Sequence, residues 1–223
     1  MIRLPRNAIA LALAAALFAA APAPSSAQAP AAPAAPATMQ GSPSELVLNN
    51  TRRVLETIEA RRAEFAGDRA ALQAFMIGEF ENMFDRDYAA RQVLGRHGRG
   101  ASDEEVKAFG DALAQNLMRR YGSSLIDFNT RLQVRIKSET ALPRGLGVKV
   151  SSELLRQGGE PIPVDYLLRR AGNGWRVFDV MVEGVSFVQT FRQQFDAELQ
   201  RKSIAQVTRE LRSGQLSPAT GGN

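Results

Sequence analysis

The apolar residues of this 223-residue chain change their period once, near Asn129, and that change dictates the class of fold. Upstream, they recur every three to four residues, as on a helix face. Leu46, Val47, Asn50, Val54, Leu55 and Ile58 form one such stripe between Ser42 and about Arg62, with Ser44 as the expected cap. Gly67-Asp68 breaks the pattern, and Asp68 opens a second helix carrying Leu72, Phe75, Met76 and Phe80. Asp85 to Leu94 reads as a short third helix ended by Gly95. Ser102 with Glu105 makes a capping box before a long helix, in which Val106, Phe109, Leu113, Leu117, Tyr121 and Phe128 share one side.

Downstream the period is two. Leu132, Val134 and Ile136 alternate with Arg131, Gln133, Arg135 and Lys137. Leu146, Val148 and Val150 form a second alternating run, and Ile162, Val164, Tyr166 and Leu168 a third. Such runs are half-buried strands. Gly158-Gly159 and Gly172-Asn173-Gly174 are hairpin turns, which make the strands antiparallel neighbours. The fourth strand, Trp175 to Val182, is apolar on both parities: Val177 and Met181 on one, Phe178, Val180 and Val182 on the other. It is therefore expected to be covered on both faces. Ser186 caps a helix with Phe187, Val188, Phe191, Phe195 and Leu199, and a last helix runs from Ser203 to Leu211. The expected fold is α+β: four helices, a four-stranded antiparallel meander, then two helices, with the helices packed on a face of the sheet.

The N-terminus sets an expected compartment. Arg3 and Arg6 precede an unbroken apolar run, Ile9 to Ala21, and Ser25-Ser26-Ala27 offers small residues for cleavage. That is the pattern of a secretory signal peptide over residues 1–27. The run is shorter than the roughly 20 residues a spanning helix needs. Residues 28–44, rich in Ala and Pro, read as a flexible leader. Residues 45–216 suit a single domain and 217–223 a frayed tail. Cleavage would lower the formal charge from +5 to +3, because Arg3 and Arg6 leave with no acid. Charges of both signs alternate along the helices, which argues against a nucleic-acid groove and for at most transient contact with a membrane surface. The chain has no cysteine, so disulfides, thiol catalysis and a lipid-anchoring cysteine are excluded.

The sequence is equally restrictive about catalysis. His97 is the one histidine, and it sits in the loop Arg96-His97-Gly98-Arg99-Gly100, where it reads as exposed filler rather than a metal ligand or triad member. Gly184-Val185-Ser186 approaches a nucleophile elbow, but Phe187 and Val188 follow where the pattern needs a glycine; a helix cap explains Ser186. No P-loop, dinucleotide fingerprint or EF-hand is present, so no cofactor and no metal are expected. Asp179 lies inside a strand between Phe178 and Val180. It reads as half of a structural ion pair with a cation such as an arginine, with a catalytic acid as the alternative. Arg52, Arg53, Arg61, Arg62, Arg119 and Arg120 come in pairs and read as solvated helix faces.

Three groups of residues carry a family resemblance. The most specific is Trp175, Phe178-Asp179-Val180 and Glu183-Gly184-Val185-Ser186, continuing to Arg192, Gln194 and Phe195. A second is Phe84-Asp85, Tyr88-Ala89 and Leu94-Gly95; a third is Phe109, Leu117, Tyr121 and Phe128. Together with Pro163 to Arg170 they resemble the MlaC family of periplasmic phospholipid-binding proteins, in order, from about Pro43 to Leu211. The leader and the loop around His97 depart from the family pattern. The resemblance implies a periplasmic ferry for phospholipid, in which the helices and the sheet enclose an apolar cavity. Its partners would be an outer-membrane lipoprotein complex and an inner-membrane ABC transporter with an MCE-domain protein. It also keeps a hopanoid open as cargo.

A carrier of this kind needs a dry wall for acyl chains. The strands offer Leu132, Val134, Ile136, Val148, Val150, Val164, Tyr166, Leu168, Phe178, Val180 and Val182. The helices can close over them with Phe75, Phe109, Leu113, Phe187 and Phe191. Periodicity alone allows the same residues to be a filled core, as in an adaptor that binds only protein. A cavity enzyme using Asp179 is the third reading.

Overall fold

The computed structural model describes residues 41–121, 132–156 and 158–218. The expected signal peptide, residues 28–40 of the leader, Phe128 and the last five residues lie outside the described residues. The order is α1 (Pro43–Ala60), α2 (Arg62–Gly67), α3 (Arg69–Met83), α4 (Arg86–Leu94), a 3-10 turn (Gly95–Gly98), α5 (Asp103–Tyr121), β1 (Gln133–Ala141), β2 (Val148–Leu155), β3 (Ile162–Ala171), β4 (Gly174–Val182), β5 (Val185–Ser186), α6 (Phe187–Leu199) and α7 (Ile204–Ser213). Among the described residues the sheet has five strands, ordered β1-β2-β3-β4-β5 and antiparallel throughout, where four were expected. The fifth is a two-residue strand made by a tight corner at Glu183 and Gly184, with φ of 49° and 82°. Both central residues need positive φ in such a turn, and Glu183 tolerates it because its N–H is held by Pro163 O at 3.0 Å. None of the described helices is long and apolar enough to cross a membrane.

The helix starts follow the caps, with one correction. Asp68, Asp85, Ser186 and Ser203 cap α3, α4, α6 and α7. Ser102 and Glu105 exchange the two bonds of a capping box before α5. At α1 the cap is Ser42, not Ser44; Ser42 and Glu45 form the box, with Pro43 in the first turn where its missing N–H costs nothing. Ser44 instead donates from its N–H and its Oγ to Glu139 Oε2, at 3.1 and 2.7 Å. The first stripe is also divided: α1 ends at Ala60 and a short α2 follows.

Glu139 reaches α1 because of a bulge. The β1–β2 register slips between Ile136 and Ser138. An extra residue flips the phase of everything beyond it. Glu139 therefore pairs across from Val150 and shares its face, the face that α1 covers. Glu139→Ala should lower stability by no more than about 1 kcal/mol, because the site is exposed and screened. A urea midpoint unchanged by the substitution would show that this bond does not hold α1 to the sheet.

A second bulge corrects the reading of β4. Tyr166 pairs with Val180 and Leu167 with Asp179, but Leu168 pairs with Val177. The slip puts Val177 on the face of Val180 and Val182, and all three are buried. The phase change groups Val177 with Val180 and Val182, while Asp179 on the other side is also buried and Phe178 packs on α4, so β4 is covered on both sides as expected. Phe178 stands at the bulge and meets Tyr88 of α4 edge-on, at 5.3 Å between ring centres. Leu146 also departs from expectation: it precedes β2 in a loop and is 55% exposed.

The helices divide into two groups. α1 lies on β1 and β2 and touches α3; α3 touches α2 and β4. α4, α5, α6 and α7 pack on one another, with α4 and α6 also meeting β4. The junction is tied at Phe84, which bridges Val177 beside β4, and at Asp85, whose N–H donates to Val177 O at 2.7 Å.

Candidate functional site

The principal apolar interior lies between the covered face of the sheet and helices α1 and α3. Alternation and cross-strand pairing put Val150, Leu154, Ile162, Val164, Tyr166, Leu168, Val177, Val180 and Val182 on one face, all buried. α1 turns Val47, Thr51, Val54 and Ile58 inward, one residue every three to four, and α3 adds Leu72, Met76 and Phe80 to the same core. The wall residues are closed to solvent; Tyr166 and Val180 are each 5% exposed. Val134, Ile136 and Val148 lie partly buried against this core, and Leu132, just before β1, is half-buried.

Polar groups are few inside and are placed on purpose-built partners. Thr51 Oγ1 and Tyr166 Oη share a hydrogen bond of 3.3 Å. Burial pushes the Tyr166 phenol above its ordinary value, and the Thr51 bond opposes that. Ser152 Oγ donates to Val164 O at 2.8 Å. At the rim, Glu79 of α3 accepts from Asn50 Nδ2 at 2.9 Å and from Arg53 Nε and Nη2 of α1. This clasp holds the two covering helices together, so Arg53 is engaged rather than part of a bare basic face. Arg119 likewise is used, donating to Leu211 O and Arg212 O at the end of α7.

The residues proposed from the sequence as an apolar wall are only partly brought together. The strand members from Val148 to Leu168 and Val180 and Val182 share the covered face. Phe178 does not, because of the β4 bulge. Phe109 and Leu113 sit in the helical group: Phe109 meets Phe195 edge-on at 5.4 Å, and α5 makes its main contacts with α4 and α7. Phe187 and Phe191 lie together on α6, which reaches β4. Phe75 stacks on Phe65 of α2. The covering side chains that the sequence reading left out are Val47, Thr51, Val54, Ile58, Leu72, Met76 and Phe80. The α1 stripe was the signal for Val47, Val54 and Ile58; Thr51, a polar residue, lay outside it.

Asp179 and His97 both require correction. The partners of Asp179 are not an arginine. Its Oδ2 accepts from Ser186 Oγ at 2.5 Å and its Oδ1 from Val188 N–H at 3.1 Å. The carboxyl thus closes the β4–β5 corner onto the start of α6, where N–H groups are unspent and the helix dipole is positive. Burial still dominates and raises its pKa above the usual carboxylate value of 3.8. A raised native pKa means that the folded protein binds more protons than the unfolded one. Its contribution is then fully present below about pH 4 and is lost as pH rises through the native pKa. Asp179→Asn should flatten the stability profile across that window; parallel urea midpoints for the two proteins from pH 4 to pH 8 would contradict it. His97 is not exposed filler. Its Nε2 lies 2.9 Å from Asp196 Oδ1, and Arg96 donates to Asp196 Oδ2 at 3.1 Å, pinning the 3-10 turn to α6.

A second concavity, about 440 Å³, opens where α3 meets α4 and is lined by Phe80, Glu81, Phe84, Asp85, Arg86, Asp87, Ala171 and Arg176. Its charged groups bond to each other and to backbone, as in Arg176 Nη1 donating to Glu81 O at 2.6 Å and Arg169 pairing with Asp85. None of the residues selected from the sequence as apolar wall lines it.

This architecture, an antiparallel meander with one apolar face under two helices, is shared with known proteins. Residues 48–213 match the family model described as MlaC protein, and the chain belongs to the MlaC family. A curated relative, the toluene tolerance protein ttg2D of Pseudomonas putida, is 24% identical over 163 residues, covering 72% of this chain and 74% of that protein. The phospholipid-binding protein from Ralstonia solanacearum, solved in complex with a phospholipid, superposes with a TM-score of 0.69 at 23% identity, over 78% of this chain and 98% of that one. That likeness establishes the fold.

Proposed function

We propose that this protein carries phospholipid through the periplasm, with the acyl chains held between α1, α3 and the covered face of the sheet. The observation that supports it most is the sheet face itself: a continuous apolar wall from Val150 to Val182, interrupted only by hydroxyl groups, in a family whose fold has been solved around a phospholipid. The signal peptide over residues 1–27, a leader that ends at the α1 cap Ser42 rather than at residue 44, and a single domain from there to residue 216 fit export of the working part. The partners would be an outer-membrane lipoprotein complex and an inner-membrane ABC transporter with an MCE-domain protein, with only transient contact at the membrane surface itself.

Energetics explain why binding suffices without catalysis. Each buried methylene contributes about 0.8 kcal/mol relative to water, so roughly 25 of them gross on the order of 20 kcal/mol. The lipid leaves a bilayer that is equally apolar, so the exchange sits near balance while the bare lipid in water is very costly. The protein lowers that cost, and the partners give direction. Because the wall is closed, loading requires α1 and α3 to separate, and the Asn50–Glu79–Arg53 clasp is the polar tie that has to yield.

Vesicle transfer tests this reading. Donor vesicles with a self-quenched fluorescent phospholipid are mixed with unlabelled acceptors. Substoichiometric protein should speed dequenching in proportion to its concentration. A rate equal to the protein-free blank would contradict the carrier reading.

A further inference from the structure

The apolar interior holds three hydroxyl groups on or against the covered sheet face, and their bonding is unequal. Ser152 spends its O–H on Val164 O. Thr51 and Tyr166 have two O–H hydrogens between them and share one bond of 3.3 Å, with either as donor. Among the described residues, the second hydrogen has no acceptor. The two residues are 3% and 5% exposed, so bulk water does not supply one. Buried hydroxyls are ordinarily satisfied, and one hydrogen left over in an apolar interior marks a place where another acceptor belongs. The position suits an acceptor from a bound molecule. Tyr166 stands mid-strand, between Val150 and Val180 on the neighbouring strands, with Thr51 opposite it on α1.

We infer that the Thr51–Tyr166 pair is a polar subsite of the interior, donating its unspent O–H to an ester carbonyl oxygen of the carried lipid. The inference rests on the carrier reading and deepens it by assigning one ester carbonyl of the cargo a place in the interior. No bond is made or broken. The carbonyl accepts one hydrogen bond, and the Thr51–Tyr166 bond stays or shortens as the partner of the donating hydroxyl.

The test is competition between a diester phospholipid and its diether analogue of equal chain length and headgroup, loaded from vesicles onto the full chain and quantified by mass spectrometry. The ether lacks the carbonyl and is otherwise nearly the same shape. The wild type should prefer the diester about three- to tenfold, the range one neutral hydrogen bond commands. The double variant Thr51→Val with Tyr166→Phe replaces both hydroxyls by apolar groups of similar shape, and should bind both lipids with no preference. The single variants Thr51→Val and Tyr166→Phe identify the donor. With 13C-labelled ester carbonyls, the bound-lipid resonance should move upfield in the double variant. Equal loading of diester and diether by the wild type would overturn the subsite while leaving the carrier intact, and needs no variant to fold. A preference that persists in the folded double variant would also overturn it. Failure to load either lipid would overturn the carrier reading along with it.

Discussion

Gly147→Ala should destabilise the protein by about 2–5 kcal/mol, enough to leave little folded material at 37 °C. Gly147 immediately precedes β2 and has a φ of 143°, a conformation that side chains rarely adopt. A Cβ there would run into Leu168 O and lie 2.9 Å from Leu168 C and 3.2 Å from Arg169 Cα. These are backbone atoms of the central strand β3, so they cannot swing aside. The turn also depends on the same residue, since Leu142 N–H donates to Gly147 O at 2.8 Å. Gly145, two residues earlier, is the internal comparison. Its φ is 68°, but a Cβ there meets nothing within 4 Å, so Gly145→Ala should cost only about 1 kcal/mol of backbone strain. Urea denaturation of the two variants decides: equal midpoints would mean that the close approach of β2 to β3 is not as described.

Val180→Glu has the second large effect, and it bears on function. Val180 is in the covered face beside Tyr166. A carboxylate there is buried in an apolar face, and the cost of burying it, several kcal/mol, appears as lost stability and a raised pKa. In the fraction that stays folded, the charge also faces the acyl chains, so the lipid recovered per folded chain should fall at least tenfold. Phe109→Ala is the control. It should cost about 3–5 kcal/mol by opening a void against Phe195 in the helical group. Its folded fraction should nevertheless keep its lipid. If the two variants retain lipid equally, the interior under α1 and α3 is not where lipid sits.

The contrast between those two residues shows how much of the site could be read from sequence. Periodicity separated helices from strands because a helix face and a pleated face repeat differently, and it placed Val150, Val164, Tyr166 and Leu168 together correctly. It could not find the bulges at Lys137 and Phe178. A one-residue insertion leaves both flanking runs alternating and changes only their relative phase, which is visible in the pairing and not along the chain. That is why Phe178 was grouped with Val180. Phe109 and Leu113 were expected to close over the sheet because a long apolar helix stripe says that it is buried, not against what. Caps were legible where one serine or aspartate was available; at Ser42 and Ser44 two were, and the choice depended on Glu139, 95 residues away. Asp179 was recognised as an anomaly, but its partners are a hydroxyl and a backbone N–H at a helix start, groups that every sequence contains and that only the fold brings to it.

The central claim is that the space between α1, α3 and the sheet holds phospholipid. Full-length protein expressed in a bacterial host and purified without detergent would be denatured in organic solvent, and the extract quantified against protein by mass spectrometry. Phospholipid at close to one molecule per chain is the expected result. Folded, monodisperse protein whose extract contains no phospholipid above the buffer blank would contradict the claim.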